Sequence, residues 1–570
     1  MDAKSAYDAW LNDLSIDTET KAELYAIAEC PDEIYDRFSQ QLEFGTGGLR
    51  GMMGAGTNRM NVYTVKLATQ ALANFLTLRG QSRAGVVLAY DSRHRSRDFV
   101  ETAAAVLIGN GIPVYVFSHV TPTPLLSFAV KHCRAGGGIM ITASHNPKEY
   151  NGYKAYDKDG IQLHPKDTAE ISRLMDGMTL ADVKQEADPQ ASPLWNWIDA
   201  DICAAYFAKL AELAPPSSAY DLGLRIVYTP LHGAGAQFVP HALRQAGFAN
   251  VFLVEEQMKL DGEFPTVPIP NPEEPDAFRL AFTQAASHRA ELILATDPDC
   301  DRVGVAVMVQ GHYVMLTGNQ VGVLLADFLL RRLPPGAAVN HVIVKSIVST
   351  NMVYPIAAQY GAQVVDTLTG FKYIGSAIRE LTSQGKEFLF GFEESCGYLA
   401  GNFVMDKDGV IGSLLVAQAA AYWRKQGLTL QDRLEQLMAE HGYYLETLQS
   451  YHFDSQAEVE QARRFIDHLR TARVAAIGGI PVKAIKDYLY GVHLDLEENR
   501  SCALEFPREN VLQWETTAGD VITLRPSGTE PKMKLYISVV ANELRQASRK
   551  LENLERACDA MINEGLMVVS

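Results

Sequence analysis

The 570-residue chain is short of three things, and each shortage excludes a class of protein. It has no uninterrupted apolar run near the ~18–20 residues that a membrane-spanning helix needs, so no membrane partner is expected. It has no basic surplus: 51 Lys and Arg against 68 Asp and Glu leave a formal charge of −17, a field that opposes a nucleic-acid backbone. It has no clustered cysteines. The seven present (Cys30, Cys133, Cys203, Cys300, Cys396, Cys502, Cys558) are dispersed and odd in number. That pattern reads as reduced thiols in a cytoplasmic setting rather than a disulfide framework or zinc site. The opening MDAKSAYDAWLNDL carries acids and no apolar core, so no signal peptide is expected.

What is present is ordinary core-forming material, 47% apolar and 21% charged, in a chain too long for one core. Helical spacing in AYDAWLNDL and KAELYAIAE predicts helices over residues 1–42, with Pro31 between segments. From Val62 onward, helical stretches alternate with β-type runs: GVVLAYD, IPVYVF, GGIMITAS, LRIVYTP, NVFLVEE, ELILATD, HVIVKSIV, AQVVDTL and EFLFGFEE. Such alternation predicts α/β layers. The polar, Pro-containing stretch 180–196 predicts a nearby linker. After residues 441–455 the texture changes to one expected of a small α+β domain with an antiparallel sheet.

Five clusters carry chemistry. In TDPDCDRVGV, Asp297, Asp299 and Asp301 are spaced by two, which on an extended segment projects three carboxylates to one side. Carboxylates so placed repel one another unless a cation sits among them, and oxygen ligands suit Mg²⁺ or Mn²⁺. An EF-hand is excluded, because the sixth residue is Arg302 and the twelfth Met308; a solvated acidic turn is the plainer alternative. In GGGIMITASHNPKEYNGYK a β run ends at Ser144 and His145, at a strand end where α/β sheets bind ligands. The flanks are not G-x-S-x-G, and an ordinary loop fits equally well. RPSGTEPKMKLY offers Arg525, Ser527, Gly528 and Thr529 as a phosphate cradle, or an ordinary turn. FGTGGLRG places Arg50 on a flexible loop able to approach an anion. GFEESCGY sets Glu393, Glu394 and Ser395 after a β run as acceptors for sugar hydroxyls.

Together, and in this order with TLTGFKYIG, these segments resemble the α-D-phosphohexomutase superfamily, more narrowly its phosphoglucomutase/phosphopentomutase branch. The resemblance spans most of the chain. It implies three related α/β domains with mixed sheets and a smaller α+β C-terminal domain around a central cleft, here 1–203, 204–315, 316–445 and 446–570. It implies that Ser144 is the phosphorylated residue and that Asp297, Asp299 and Asp301, with a phosphoserine oxygen, hold one Mg²⁺. Arg302 supports that loop, Arg50 and His145 line the phosphoryl site, and Lys154 is a candidate general acid/base. Glu393 and Ser395 hold sugar hydroxyls beside Thr369 and Gly370, and Arg525, Ser527, Gly528 and Thr529 grip the phosphate not being transferred. Tyr90, Asp91 and Arg93 are expected to support the serine loop.

The implied activity interconverts glucose 1-phosphate and glucose 6-phosphate through a phosphoserine and glucose 1,6-bisphosphate. The alternatives are a phosphopentomutase, a glucose-1,6-bisphosphate synthase, a phosphatase or a non-catalytic scaffold of the same fold. The expected partner is a small sugar phosphate, not nucleic acid. One departure stands out: many members have Gly between the metal-loop aspartates, where this chain has Pro298 and Cys300.

Overall fold

The computed structural model describes residues 2–45, 47–453, 456–526 and 532–568. Three helices open the chain, Ala3–Asn12, Thr18–Ala26 and Pro31–Phe38. Asp2 and Asp17 cap the first two by accepting from Ser5 N and Thr20 N. Pro31 starts the third, where its missing N–H costs nothing. Tyr7, Leu24, Ile34 and Phe38 form a small core that also buries Ala55. Glu23 accepts from Ala55 N at 3.1 Å and Asp36 pairs with Arg59. The helices thereby brace the segment that continues the strand Gly48–Met52.

Among the described residues the strands form four sheets. The first runs Gly48–Met52, Tyr150–Tyr156, Gly137–Ile141, Val86–Tyr90, Val114–Val116 and Trp195–Trp197. Its inner strands VVLAY and GGIMI are parallel and buried throughout, the continuous apolar pattern of strands covered by helices on both faces. The second and third sheets also mix parallel centres with an antiparallel hairpin, Leu292–Thr296 with Val303–Val309 and Glu387–Glu393 with Gly397–Ala400. The fourth is antiparallel, built from strands between Tyr443 and Ala541, and helix Leu544–Val568 packs on it. The α/β units with mixed sheets and the β-rich C-terminal part are as the sequence predicts.

One hydrophobic cluster runs from Val87 and Ala89 through Ile226 and Leu294 to Leu434 and Met438, so the first three sheets share a core. The fourth sheet keeps its own around Trp514, Leu535 and Ile562. It meets the rest through a smaller patch of Ile347, Val348, Leu368, Tyr373, Tyr488, Val511 and Tyr536.

The polar stretch 180–196 packs against the first unit: Lys184 N donates to Gln70 Oε1 and Glu186 N to Ala105 O, and Trp195–Trp197 becomes the sixth strand of the first sheet. Two local expectations are corrected. Arg50 is not on a flexible loop but in strand Gly48–Met52, paired with Gly152 across the ladder. Glycine hides that strand from pattern reading, yet the pairing requires it. A Cβ at Gly48, whose φ is +145°, would sit 1.8 Å from Tyr153 O. The aspartates, finally, converge through a tight turn rather than along an extended segment. Cys300 N bonds to Asp297 O at 2.9 Å and Cys300 has φ +52°, the left-handed geometry for which glycine is the easier residue.

Candidate active site

The chemistry-bearing residues stand at the C-terminal ends of central strands. Asp91 follows Val86–Tyr90, Ser144 follows Gly137–Ile141, Asp297 follows Leu292–Thr296, and Glu393 ends Glu387–Glu393. Different sheets thus aim their loops at one cleft of about 760 Å³. Arg50, His145, Arg302, Thr369, Gly370, Glu393, Ser395, Lys407 and Arg525 all line it. Ser144 and the three aspartates lie just behind this wall, buried. Ser527, Gly528 and Thr529 lie outside the described residues.

Ser144 has φ +52°, an uncommon conformation for a residue with a side chain. Two devices hold it there. Its N–H donates to Thr142 Oγ1 at 2.8 Å. The Arg93 guanidinium, wholly buried, donates to the carbonyls of Ser144 (2.6 Å), Pro147 (2.8 Å), Tyr150 (3.0 Å) and Asn146. Asp91 sits 3.4 Å from Arg93 Nε and also accepts from Ser96 Oγ at 2.8 Å. The serine hydroxyl donates to Asp297 Oδ2 at 2.7 Å and lies 3.2 Å from His145 Nδ1. Burial, with Arg302 and Arg50 nearby, holds His145 well below the usual imidazole range, so the ring is neutral at pH 7.

Asp297, Asp299 and Asp301 each bring a carboxylate oxygen within 4.8 Å of the others. Asp297 Oδ1 is fixed by Asp301 N (3.1 Å) and Arg302 N (3.0 Å). Asp299 Oδ2 accepts from Thr123 Oγ1 and Lys154 Nζ, both at 2.7 Å. Asp301 Oδ2 faces Lys154 and Lys407, each at 3.2 Å. Asp299 Oδ1 and Asp301 Oδ1 are buried with no hydrogen-bond partner among the described residues. Burial and its two carboxylate neighbours push Asp297 far above the ordinary range. For Asp301, burial pushes the same way but Lys407 and Lys154 outweigh it and hold the group well down. Hard oxygen donors, unpartnered buried oxygens and mutual repulsion fit a divalent cation such as Mg²⁺.

Lys154, although buried, is held protonated by Asp299 and Asp301. Arg302 bonds Glu273 at 2.8 Å. Glu393 accepts from Gly370 N at 2.6 Å, and burial lifts its carboxyl to about 7. Glu394 instead accepts from Ser346 Oγ at 2.9 Å. Thr369 Oγ1 is buried without a partner among the described residues. Lys372 is buried, and burial lowers its ammonium to about 8. Arg525 is part-exposed, 3.9 Å from Glu509.

Sequence reasoning missed Lys407, the second cation on Asp301, and Thr123. Lys407 had a signal: D-K-D-G (406–409) is wedged between apolar FVM and the apolar helix Gly409–Lys425, and charges so placed need partners. Thr123 had none, since it approaches Asp299 only in the fold.

Comparison with known proteins bears on this geometry. Residues 41–181, 204–310 and 317–441 match the family descriptions "phosphoglucomutase/phosphomannomutase, alpha/beta/alpha" domains I, II and III. A phosphoglucomutase of Staphylococcus haemolyticus is 37% identical over 527 residues, 90% of this chain and 93% of its own. A phosphoglucomutase/phosphomannomutase family protein of Burkholderia thailandensis superposes with a TM-score of 0.67 at 19% identity, covering 92% of this chain and 98% of that one. An N-acetylphosphoglucosamine mutase of Aspergillus fumigatus, solved with GlcNAc-6P and magnesium, gives 0.51 at 14% identity, covering 92% and 96%.

Proposed function

The chain belongs to the phosphoglucomutase/phosphomannomutase family and is a mutase, and from that premise we propose that it interconverts glucose 1-phosphate and glucose 6-phosphate through phosphorylated Ser144 and a glucose 1,6-bisphosphate intermediate. The observation that carries this reading is the Ser144 hydroxyl, held 2.7 Å from Asp297 behind a cleft that also presents Arg525. In this reading Asp297, Asp299, Asp301 and a phosphoserine oxygen hold one Mg²⁺, which when bound supplies positive charge to the phosphoryl oxygens.

The residues of the chain do the rest. Arg93 sets the angle of the Ser144 loop. Arg50, His145 and Arg302 line the path of the transferring group, and a sugar hydroxyl attacks the phosphorus as the bond to Oγ breaks. Lys154 is the candidate to carry the proton between sugar hydroxyl and Oγ. Glu393 and Ser395, with Thr369 and Gly370 alongside, hold the sugar hydroxyls. Arg525, with Ser527, Gly528 and Thr529, holds the phosphate that stays. Turning the bisphosphate in the cleft lets its second phosphate restore phosphoserine.

The reading also places domain boundaries near residues 203, 315 and 445. Its partner is a small sugar phosphate. Among the described residues no helix is long and apolar enough to cross a membrane. All seven cysteines are free, Cys30 and Cys502 exposed, which supports a reducing, cytoplasmic setting. The test is a coupled assay with glucose 1-phosphate, ribose 1-phosphate and mannose 1-phosphate, with Mg²⁺ and the matching bisphosphate. The expected result is a clear kcat/KM preference for glucose. A preference for ribose would replace the substrate and keep the chemistry.

A further inference from the structure

Glu509 has no part in the chemistry above, yet the fold aims it at the phosphate-holding wall. It lies in the irregular segment between strands Arg500–Ala503 and Leu512–Thr516. That segment is firmly anchored. Phe506 packs edge-on against Tyr488, with ring centroids 5.3 Å apart, Val511 is buried, and Tyr488 N donates to Val511 O at 3.0 Å. Glu509 Oε1 accepts from the hydroxyl of Tyr373, a residue of the third sheet's unit. Its other oxygen faces Arg525 at 3.9 Å, too far for a hydrogen bond and near enough for strong attraction. Lys372 feels the same carboxylate. Of the neighbouring acids, Glu394 accepts from Ser346, and Glu393, bonded to Gly370 N, acts on Lys372 less strongly than Glu509 does.

We infer that Glu509 is a resident counter-ion of the phosphate-holding wall, positioned to weaken the grip of Arg525 on a ligand phosphate. The inference rests on the proposed role of Arg525. A site that must release and turn a bisphosphate is slowed by a grip that is too tight, because uniform binding lowers KM without raising kcat. A fixed carboxylate attracts Arg525 when the site is empty and repels the dianion when it is full. Glu509 is a positioning residue for the clamp, not a catalytic one.

The test measures binding of inorganic phosphate and glucose 1-phosphate by calorimetry to the full-length Ser144→Ala protein, so that turnover plays no part. Glu509→Gln keeps an acceptor for Tyr373 and removes the charge. It should lower Kd roughly tenfold, the size expected for one charge facing a dianion at about 6 Å in water-like surroundings. Glu509→Asp should stay close to the parent, and the gain should vanish when Arg525→Gln is added. In the active protein, Glu509→Gln should lower KM and kcat together, whereas loss of a merely structural contact would raise KM. Unchanged or weaker binding in Glu509→Gln, while the parent binds, overturns the inference and leaves the clamp standing. If neither protein binds phosphate, the Arg525 clamp itself falls and the inference with it.

Discussion

The two working parts of the cleft are built on opposite principles. Behind the cleft wall Ser144, Arg93 and the three aspartates are buried and held: Arg93 binds four carbonyls of the serine loop, and Asp297, Asp299 and Asp301 are fixed by backbone N–H groups, Thr123 and two lysines. At the other end Arg525 is part-exposed and faces Glu509 at 3.9 Å without a hydrogen bond. The units beneath differ in the same sense. The serine and the aspartates stand on sheets that share one core, whereas Arg525 stands on a sheet with a separate core. The lesson is that bond making needs geometry fixed in advance, while holding and releasing a phosphate needs give.

That contrast can be broken at several points. Replacing the group at the centre of the rigid part, Ser144→Ala, should cut turnover at least about 10⁴-fold. Glucose 1-phosphate binding, read by calorimetry, should survive. Arg93→Lys keeps the charge but not the planar fork that reaches four carbonyls. Turnover should drop about 100-fold through misplacement of Ser144 with KM little changed, and steady-state kinetics separate the two. If KM moved instead, the rigid part would not be acting through geometry. Arg525→Gln should show the reverse split, raising KM roughly 10- to 100-fold for a lost charge-assisted contact with a smaller change in kcat.

The smallest effect is in pH. Glu393, lifted to about 7, gains its charge as pH rises through that value, and Lys372, lowered to about 8, loses its charge as pH rises further. The Glu393 charge serves sugar binding and the Lys372 charge adds to the positive field beside Arg525, so kcat/KM should be greatest between about 7 and 8 and fall by less than about tenfold one unit outside. Lys372→Arg, whose charge does not titrate, should flatten the alkaline limb.

The rigid part was also the more legible one in the sequence. Three aspartates spaced by two, and a serine at the end of an apolar run, stand out as charges and a hydroxyl beside core-forming strands, although the pattern alone left an acidic turn and an ordinary loop open and the family resemblance supplied their roles. The turn that brings the aspartates together was misread, because Cys300 occupies a conformation that sequence associates with glycine. The strand of Arg50 was hidden by the glycines that make it fit. Thr123 and Glu509 could not be read at all: each sits in an unremarkable local sequence and gains its meaning from a partner more than one hundred positions away, Asp299 and Tyr373.

The shared core has a consequence for how the molecule is made. Val87 and Ala89 belong to an apolar cluster that is completed only by Leu434, Leu437 and Met438. A nascent chain leaving the ribosome must therefore carry uncovered apolar faces until nearly the whole of the third unit has emerged. That interval is open to chaperone capture or aggregation. The C-terminal unit, with its own core, has no such dependence on the units before it.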